Sequence, residues 1–342
     1  MEEVCTPQDK TFKILSIDGG GIKGLYSLAI LNVLEKHFEV KLHECFDLIC
    51  GTSTGGLIAL ALSIGMSAED LANIYKEKAS IIFAPPQNVV KNKTLNKMLG
   101  MLKQGIIGKY GNEGLKEVLN DIFHDLKMQD AKTNLCIPTT NLTASEPVVF
   151  KKGHCKGHTR DPQIPMKEVA LATTAAPTYF EIAKIDSLAH DFIDGGLWAN
   201  DPTLIGLIEA VKIFVGADKP YKNIEILSIA SVSANLGKMI KNNGKNSYLS
   251  WGNGKDLIEI IMQLQTKSTQ HYINHLGEGL PYEVTNTRIP EPKLSPKQAK
   301  ELEIDSIEAN QLKTLESLGS DMGYKWVKEE NIKELFTQKV TK

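Results

Sequence analysis

The sequence predicts an α/β protein built on a mostly parallel sheet, and three observations carry that expectation. The chain opens on two strand-turn-helix units in succession, the βαβα start of a parallel sheet covered by helices. Both turns are rich in glycine and sit where an apolar run gives way to a helical pattern. Further short apolar runs, separated by helical patterns, continue the alternation to about residue 233.

The first unit is "FKILSID" (12–18), a buried-strand pattern that ends in three glycines. It is followed by "IKGLYSLAILNVLEKHF", with Leu25, Leu28, Leu31, Leu34 and Phe38 at helical spacing. The second is "FDLICGTSTGGLIALAL" (46–62), which reads as strand, sharp turn and helix. Later strands are expected at 134–142, 147–152, 190–194 and 223–232, with helices at 166–175 and 204–215. After about Ala234 strand signals stop; 241–256 reads as a loop, and a charged helical tail begins near Pro296.

At 342 residues with 42% hydrophobic content, the chain is long enough to bury a substantial core. A formal net charge of -2 supplies no global pull toward nucleic acid or anionic lipid, so DNA and RNA are not expected partners. The five cysteines (Cys5, Cys45, Cys50, Cys136 and Cys155) are scattered, which favours a reducing compartment over a disulfide framework. The opening "MEEVCTPQDK" has neither a basic start nor an apolar core, so no secretory leader is expected. The longest apolar-rich segment, 57–66, falls short of the roughly 20 residues that span a bilayer. A soluble, cytoplasmic protein is the expectation.

Three motifs could carry chemistry. Gly51-Thr52-Ser53-Thr54-Gly55 is a Gly-x-Ser-x-Gly elbow, a turn that holds a serine hydroxyl out at a sheet edge. Its plainer reading is a glycine-rich connection whose serine caps the next helix. "DGGGIKG" (18–24) exposes backbone amides at a helix N-terminus, ready for a negative charge. That charge could be a dinucleotide pyrophosphate, with Glu39 or Glu44 on the ribose, or the oxyanion of acyl transfer. A serine elbow at the next strand end favours the second. "FIDGGLWANDP" then places Asp194 at another apolar strand end, where burial would raise its pKa and make it a better base at neutral pH. Its plainer reading is an Asp-Gly-Gly turn.

In this order, each after an apolar run, the three motifs resemble the patatin-like phospholipase family. "ATTAAPTYF" (172–180) looks like that family's segment ahead of its Asp-Gly motif, and "ANDP" (199–202) resembles the Ala-Asn-Asn-Pro after it. The resemblance spans about 12–233 and implies a three-layer α/β/α fold with a helical C-terminal extension. It implies a catalytic domain at 10–233 and the extension, 234–342, packed on it. It further implies hydrolysis of phospholipid acyl esters by a Ser-Asp dyad, with Ser53 as nucleophile and Asp194 as base. The oxyanion donors fall on the backbone of Gly19, Gly20 and Gly21, and Lys23, Gly24, Gly51, Gly55, Gly195 and Gly196 support the motifs. No cofactor and no metal is implied. Two departures stand out: Lys23 where the family usually has Arg, and "SIASVSANLG" where it usually has Gly-Thr-Gly.

Other readings compete with this one. A Ser-His-Asp esterase would recruit His271 or His275, although four-residue spacing on a predicted helix favours a solvated face. His154, Cys155 and His158 bring metal-ligand types together but lack a second pair at zinc-site spacing. A non-catalytic lipid- or nucleotide-binding module on the same scaffold is a third. Between Lys76 and Lys109 stand seven lysines and one acidic residue, with Leu95, Met98, Leu99, Leu102 and Ile106 on one helical face. This is either an ordinary amphipathic helix or a basic lid for anionic headgroups. Stand-alone patatins of this length resemble bacterial effectors that a cyclic nucleotide switches on during anti-phage defence. The expected partners are therefore phospholipid at the inner face of the cell membrane, a cyclic nucleotide activator and further copies of the chain.

Overall fold

The computed structural model describes residues 10–84, 109–233 and 255–337. β1 (Thr11–Ile17) leads through the glycine loop into α1 (Gly24–Phe38), and one-turn α2 (Leu42–Cys45) precedes β2 (Leu48–Gly51), the elbow and α3 (Thr54–Ser63). Then follow α4 (Ala68–Ile82), α5 (Glu113–Phe123), β3 (Asn134–Asn141), β4 (Glu146–Lys151), α6 (Met166–Thr174), β5 (Ala183–Ile185) and β6 (His190–Asp194). The chain continues through α7 (Gly196–Ala199), α8 (Thr203–Ile213), β7 (Asn223–Ile229), α9 (Lys255–Gly279) and β8 (Val284–Ile289). It closes with α10 (Pro296–Glu301), α11 (Ala309–Trp326) and α12 (Glu330–Thr337).

All eight strands join one sheet in the order β5-β6-β3-β2-β1-β7-β8, with β4 also paired to β3. The middle of the sheet is parallel, because β1 pairs with both β2 and β7, β2 with β3, and β7 with β8. Helices cover both faces, which is why the central strands read as near-continuous apolar runs. Phe12, Ile14, Leu48, Cys50, Ile224 and Ile226 meet α8 and α9 on one side. Leu15, Ile17, Ile49, Leu227 and Ile229 meet α1 and α3 on the other.

The C-terminal stretch is mainly helical, as expected, but it also supplies β8, a strand absent from the sequence reading. "VTNTRI" has apolar residues only at its two ends, so no strand pattern marks it; parallel pairing with β7 makes it one. α11 then lies so close to α1 that a Cβ on Gly319 would fall 2.3 Å from the Tyr26 carbonyl oxygen. Lys76 of α4 reaches Glu316 of the same helix at 2.7 Å. The amphipathic stretch from Leu95 to Ile106 lies outside the described residues. Among the described residues, no helix is long and apolar enough to cross a membrane.

Leu315 on α11 is fully buried in the same core as α1. Leu315→Ala should therefore lower unfolding free energy by about 2–5 kcal/mol within a single urea transition. A separate early transition, with the main one unmoved, would show that α11 is not part of the common core.

Candidate active site

The site begins with a strand that stops early. Cys50 of β2 pairs with Cys136 of β3, so by parallel register Ser53 lies level with Thr139. β2 ends at Gly51 while β3 runs on, and β6 takes the vacated edge by pairing Asp194 with Thr139. The sequence reading placed Asp194 at another apolar strand end of a mostly parallel sheet. β6 instead runs antiparallel to β3, and it arrives because β2 leaves room.

The elbow is strained. Ser53 adopts φ 56°, ψ -125°, a region non-glycine residues rarely occupy. The crossing of strand and helix leaves no space for side chains beside it. A Cβ on Gly51 would sit 2.0 Å from the Gly55 carbonyl oxygen, and one on Gly55 would sit 2.2 Å from that of Ile17. Gly195 is equally confined, with the Pro138 carbonyl 2.4 Å from where its Cβ would be. Side-chain hydroxyls then pin the turn. Thr173 accepts from the Ser53 amide at 2.9 Å and donates to the Pro138 carbonyl at 2.7 Å. Thr52 donates to the Ala199 carbonyl at 2.5 Å.

Ser53 Oγ donates to Asp194 Oδ2 at 2.5 Å, and the Gly196 amide donates to Asp194 Oδ1 at 2.6 Å. Both side chains are buried. Burial pushes the Asp194 carboxyl up to about 6, against those two hydrogen bonds, which pull it down. No histidine of the described residues bonds to either. His271 and His275 stand exposed on α9, their ring centroids 4.2 Å apart and their planes tilted by 45°. A group this close to a serine hydroxyl, with a pKa raised toward neutrality, can take its proton.

Gly19, Gly20 and Gly21 border the serine on the other side. Gly19 differs from expectation: its amide is committed to the Asn200 carbonyl at 3.0 Å. The amides of Gly20 and Gly21 have no acceptor among the described residues, which leaves two donors for a developing oxyanion. Gly21 has φ +57°, and its carbonyl accepts from Thr54 Oγ1 at 2.8 Å, so loop and elbow are tied directly. A Cβ on Gly24 would meet Thr54 Cγ2 at 2.1 Å. Glu39 caps the far end of α1 and takes no part. Beside Ser53 lies an apolar slot of about 40 Å³ lined by Leu57, Tyr75, Phe83, Leu115, Tyr179 and Phe180.

Two further groups escaped the sequence reading. Arg288 of β8 grips Asp18, at the start of the glycine loop, through Nη1 at 2.9 Å and Nη2 at 2.5 Å. It also lies 3.4 Å from Asp201, which accepts from Gln270 at 2.5 Å. No motif surrounds Arg288, so nothing local could have marked it. The metal-ligand cluster also differs from expectation. His154 and His158 converge on Glu209 of α8, at 2.7 and 3.6 Å, and Cys155 does not join them. Burial alone would raise Glu209, but hydrogen bonds from His154 and Lys151 hold it near 2.

A family model, "Patatin-like phospholipase", matches residues 15–207, from β1 through the elbow and the Asp194 turn into α8. The chain belongs to this family. Relatives agree over most of its length. The cGAMP-activated phospholipase of Escherichia coli is 31% identical over 275 residues, covering 77% of this chain and 75% of its own. That of Vibrio cholerae serotype O1 is 31% identical over 325 residues, covering 91% of this chain and 90% of its own. VipD of Legionella pneumophila, a solved structure, matches at 14% identity with a TM-score of 0.39, over 91% of this chain and 67% of that one. This patatin-like protein is accordingly a hydrolase.

Because Asp18 and Asp201 are both buried, removing their shared cation should be costly. Arg288→Met is expected to lose about 3–5 kcal/mol of stability in urea denaturation, and adding Asp18→Asn should recover part of it. A loss below about 1 kcal/mol would show that the pair is solvated in solution.

Proposed function

We propose that this patatin-like protein cleaves fatty-acyl esters of membrane phospholipids through a Ser53-Asp194 dyad, at the inner face of the cell membrane. The observation that carries this reading is the buried 2.5 Å hydrogen bond from Ser53 Oγ to Asp194 at the elbow. Asp194 takes the hydroxyl proton as Oγ attacks the ester carbonyl, and the tetrahedral oxyanion falls to the amides of Gly20 and Gly21. Each such donor is worth about 3 kcal/mol to the transition state. Asp194 returns the proton to the departing alcohol. Water then attacks the acyl-serine, with Asp194 again accepting the proton, and releases the fatty acid.

The same reading includes a switch, thrown by a cyclic nucleotide in defence against phage. Two observations support it. Relatives that match most of the chain are named cGAMP-activated phospholipases. The slot beside Ser53, at about 40 Å³, has room for a few water molecules and not for an acyl chain. Low basal hydrolysis is expected of a dyad that is assembled beside so narrow a slot.

Ser53→Ala should abolish hydrolysis of a chromogenic acyl ester, and Asp194→Asn should lower it by about 10²–10⁴-fold. His271→Ala and His275→Ala should stay within a few-fold of the parent. Loss of activity in a folded histidine variant would replace the dyad with a triad. Excess EDTA should leave the rate unchanged; inhibition reversed by zinc would instead implicate His154 and His158.

The dyad also fixes a pH dependence. A protonated Asp194 cannot accept the serine proton, and its pKa stands at about 6. Below that value kcat/KM should fall about tenfold per pH unit, and above it the profile should level off. A flat profile from pH 5 to 7 would remove Asp194 from the role.

A further inference from the structure

Between α10 and α11 the chain makes a short turn, and this turn lies against the glycine loop. The Ile304 carbonyl accepts from the Ile22 amide at 2.9 Å, next along the chain from the two amides left for an oxyanion. The Ile304 side chain fills the space over Gly21, its Cγ1 2.6 Å from where a Cβ would be. Among the described residues, Ile304 alone borders both the acyl slot and a cavity of about 340 Å³ behind the loop.

The next residue ties the turn to the opposite wall of the slot. Asp305 is buried, and its Oδ2 accepts from Lys109 Nζ at 2.5 Å and from the Tyr110 hydroxyl at 2.8 Å. Lys109 and Tyr110 in turn donate their amides to the carbonyls of Thr178 and Tyr179, at 3.1 and 2.8 Å. The Tyr110 ring stands edge-on to Phe83 at 5.3 Å and lies 5.8 Å from Phe180. Phe83, Tyr179 and Phe180 all line the slot. Ile304 therefore holds the glycine loop while Asp305 holds the aromatic wall, and the turn spans the slot between them.

The turn is also fixed at both of its ends. Leu302 is buried in the main core. Ser306 Oγ accepts from the Glu303 amide and donates to the Glu301 carbonyl, each at 2.9 Å. An exposed ion pair would add little to this, because water competes for both partners. Asp305 is different, since a buried carboxylate that loses its partners is left as an uncompensated charge. The anchor is firm.

We propose that Ile304 is a specificity-determining residue of the acyl slot and that Asp305 is the positioning residue that holds it there. The inference rests on the dyad reading above and adds to it the side chain that selects acyl length. With Asp305 held, Ile304 narrows the slot beside Ser53 and penalises long acyl groups more than short ones. Trimming its side chain, or releasing its anchor, makes room for a longer chain to reach the serine. In an apolar pocket a single methylene is worth about 10–200-fold in discrimination, so the effect is large enough to measure.

The test is the rate at which ethyl and hexadecyl fluorophosphonates label Ser53 in the full chain, followed by intact mass. Ser53 Oγ displaces fluoride from phosphorus, so the readout needs no turnover, and Ser53→Ala is the blank. Ile304→Ala should raise the long-to-short rate ratio at least tenfold, and Ile304→Val should raise it less. Asp305→Asn should raise the ratio several-fold, and so should Lys109→Met, which serves alone if Asp305→Asn does not fold. Combining those two changes should add little beyond either one, because they break the same ion pair. A turn that only stabilises the fold would lower Tm in these variants and leave the ratio unmoved. That result would overturn the proposal while leaving the dyad in place. A parent chain whose Ser53 is not labelled at all would remove the dyad and this inference together.

Discussion

The site depends on one early stop. If β2 ran as far as β3, Ser53 would be an ordinary strand residue and the edge beside Thr139 would be occupied. Ending β2 at Gly51 turns the chain sharply at Ser53 and frees that edge for β6, which delivers Asp194 at the same level. The turn is possible because Gly51 and Gly55 let the elbow pass within van der Waals distance of neighbouring carbonyls. Ser53 and Asp194 thus owe their 2.5 Å approach to sheet registry rather than to a flexible loop. Groups positioned by regular elements hold their geometry without paying for order at the moment of reaction.

The glycine loop has a different anchor. Its first residue, Asp18, is buried, and a lone buried carboxylate would be expensive to keep ionised. Arg288 meets it with a two-pronged ion pair and also approaches Asp201, just after the Asp-Gly-Gly turn. β8 therefore links the two motifs from outside the stretch that contains them. This gives the C-terminal segment a part in the site's architecture beyond covering the core.

These two constraints explain how much could be read from the chain. The elbow, the glycine loop and the Asp-Gly-Gly turn were legible because each packs its chemistry into a few adjacent residues. The central strands were legible because burial on both faces leaves them almost wholly apolar. β8 was not, since "VTNTRI" becomes a strand only by pairing with β7. Arg288, 270 positions from Asp18, has no local signature at all. The commitment of the Gly19 amide to Asn200 was invisible for the same reason: backbone hydrogen bonds across the fold leave no trace in residue type. Glu209, which gathers His154 and His158, shows the limit from the other side, because half of that cluster was plain and its centre was not.

Two separate cavities adjoin the glycine loop. The slot beside Ser53 is apolar and narrow, lined among others by Phe83, Tyr179 and Phe180. The other cavity, of about 340 Å³, is bordered by Lys23, Asn200 and Ser231. The loop forms part of both walls: Gly21 faces the slot, while Gly19 and Gly20 face the cavity. Small changes in its backbone therefore reach both sites, because three consecutive glycines present no side chain to absorb them. Ser53 and Asp194 are already hydrogen-bonded, so under the proposed switch the energy that remains to be supplied is that of widening the slot and aligning two amides. A ligand can shift such an equilibrium only by its preference for one loop geometry over the other.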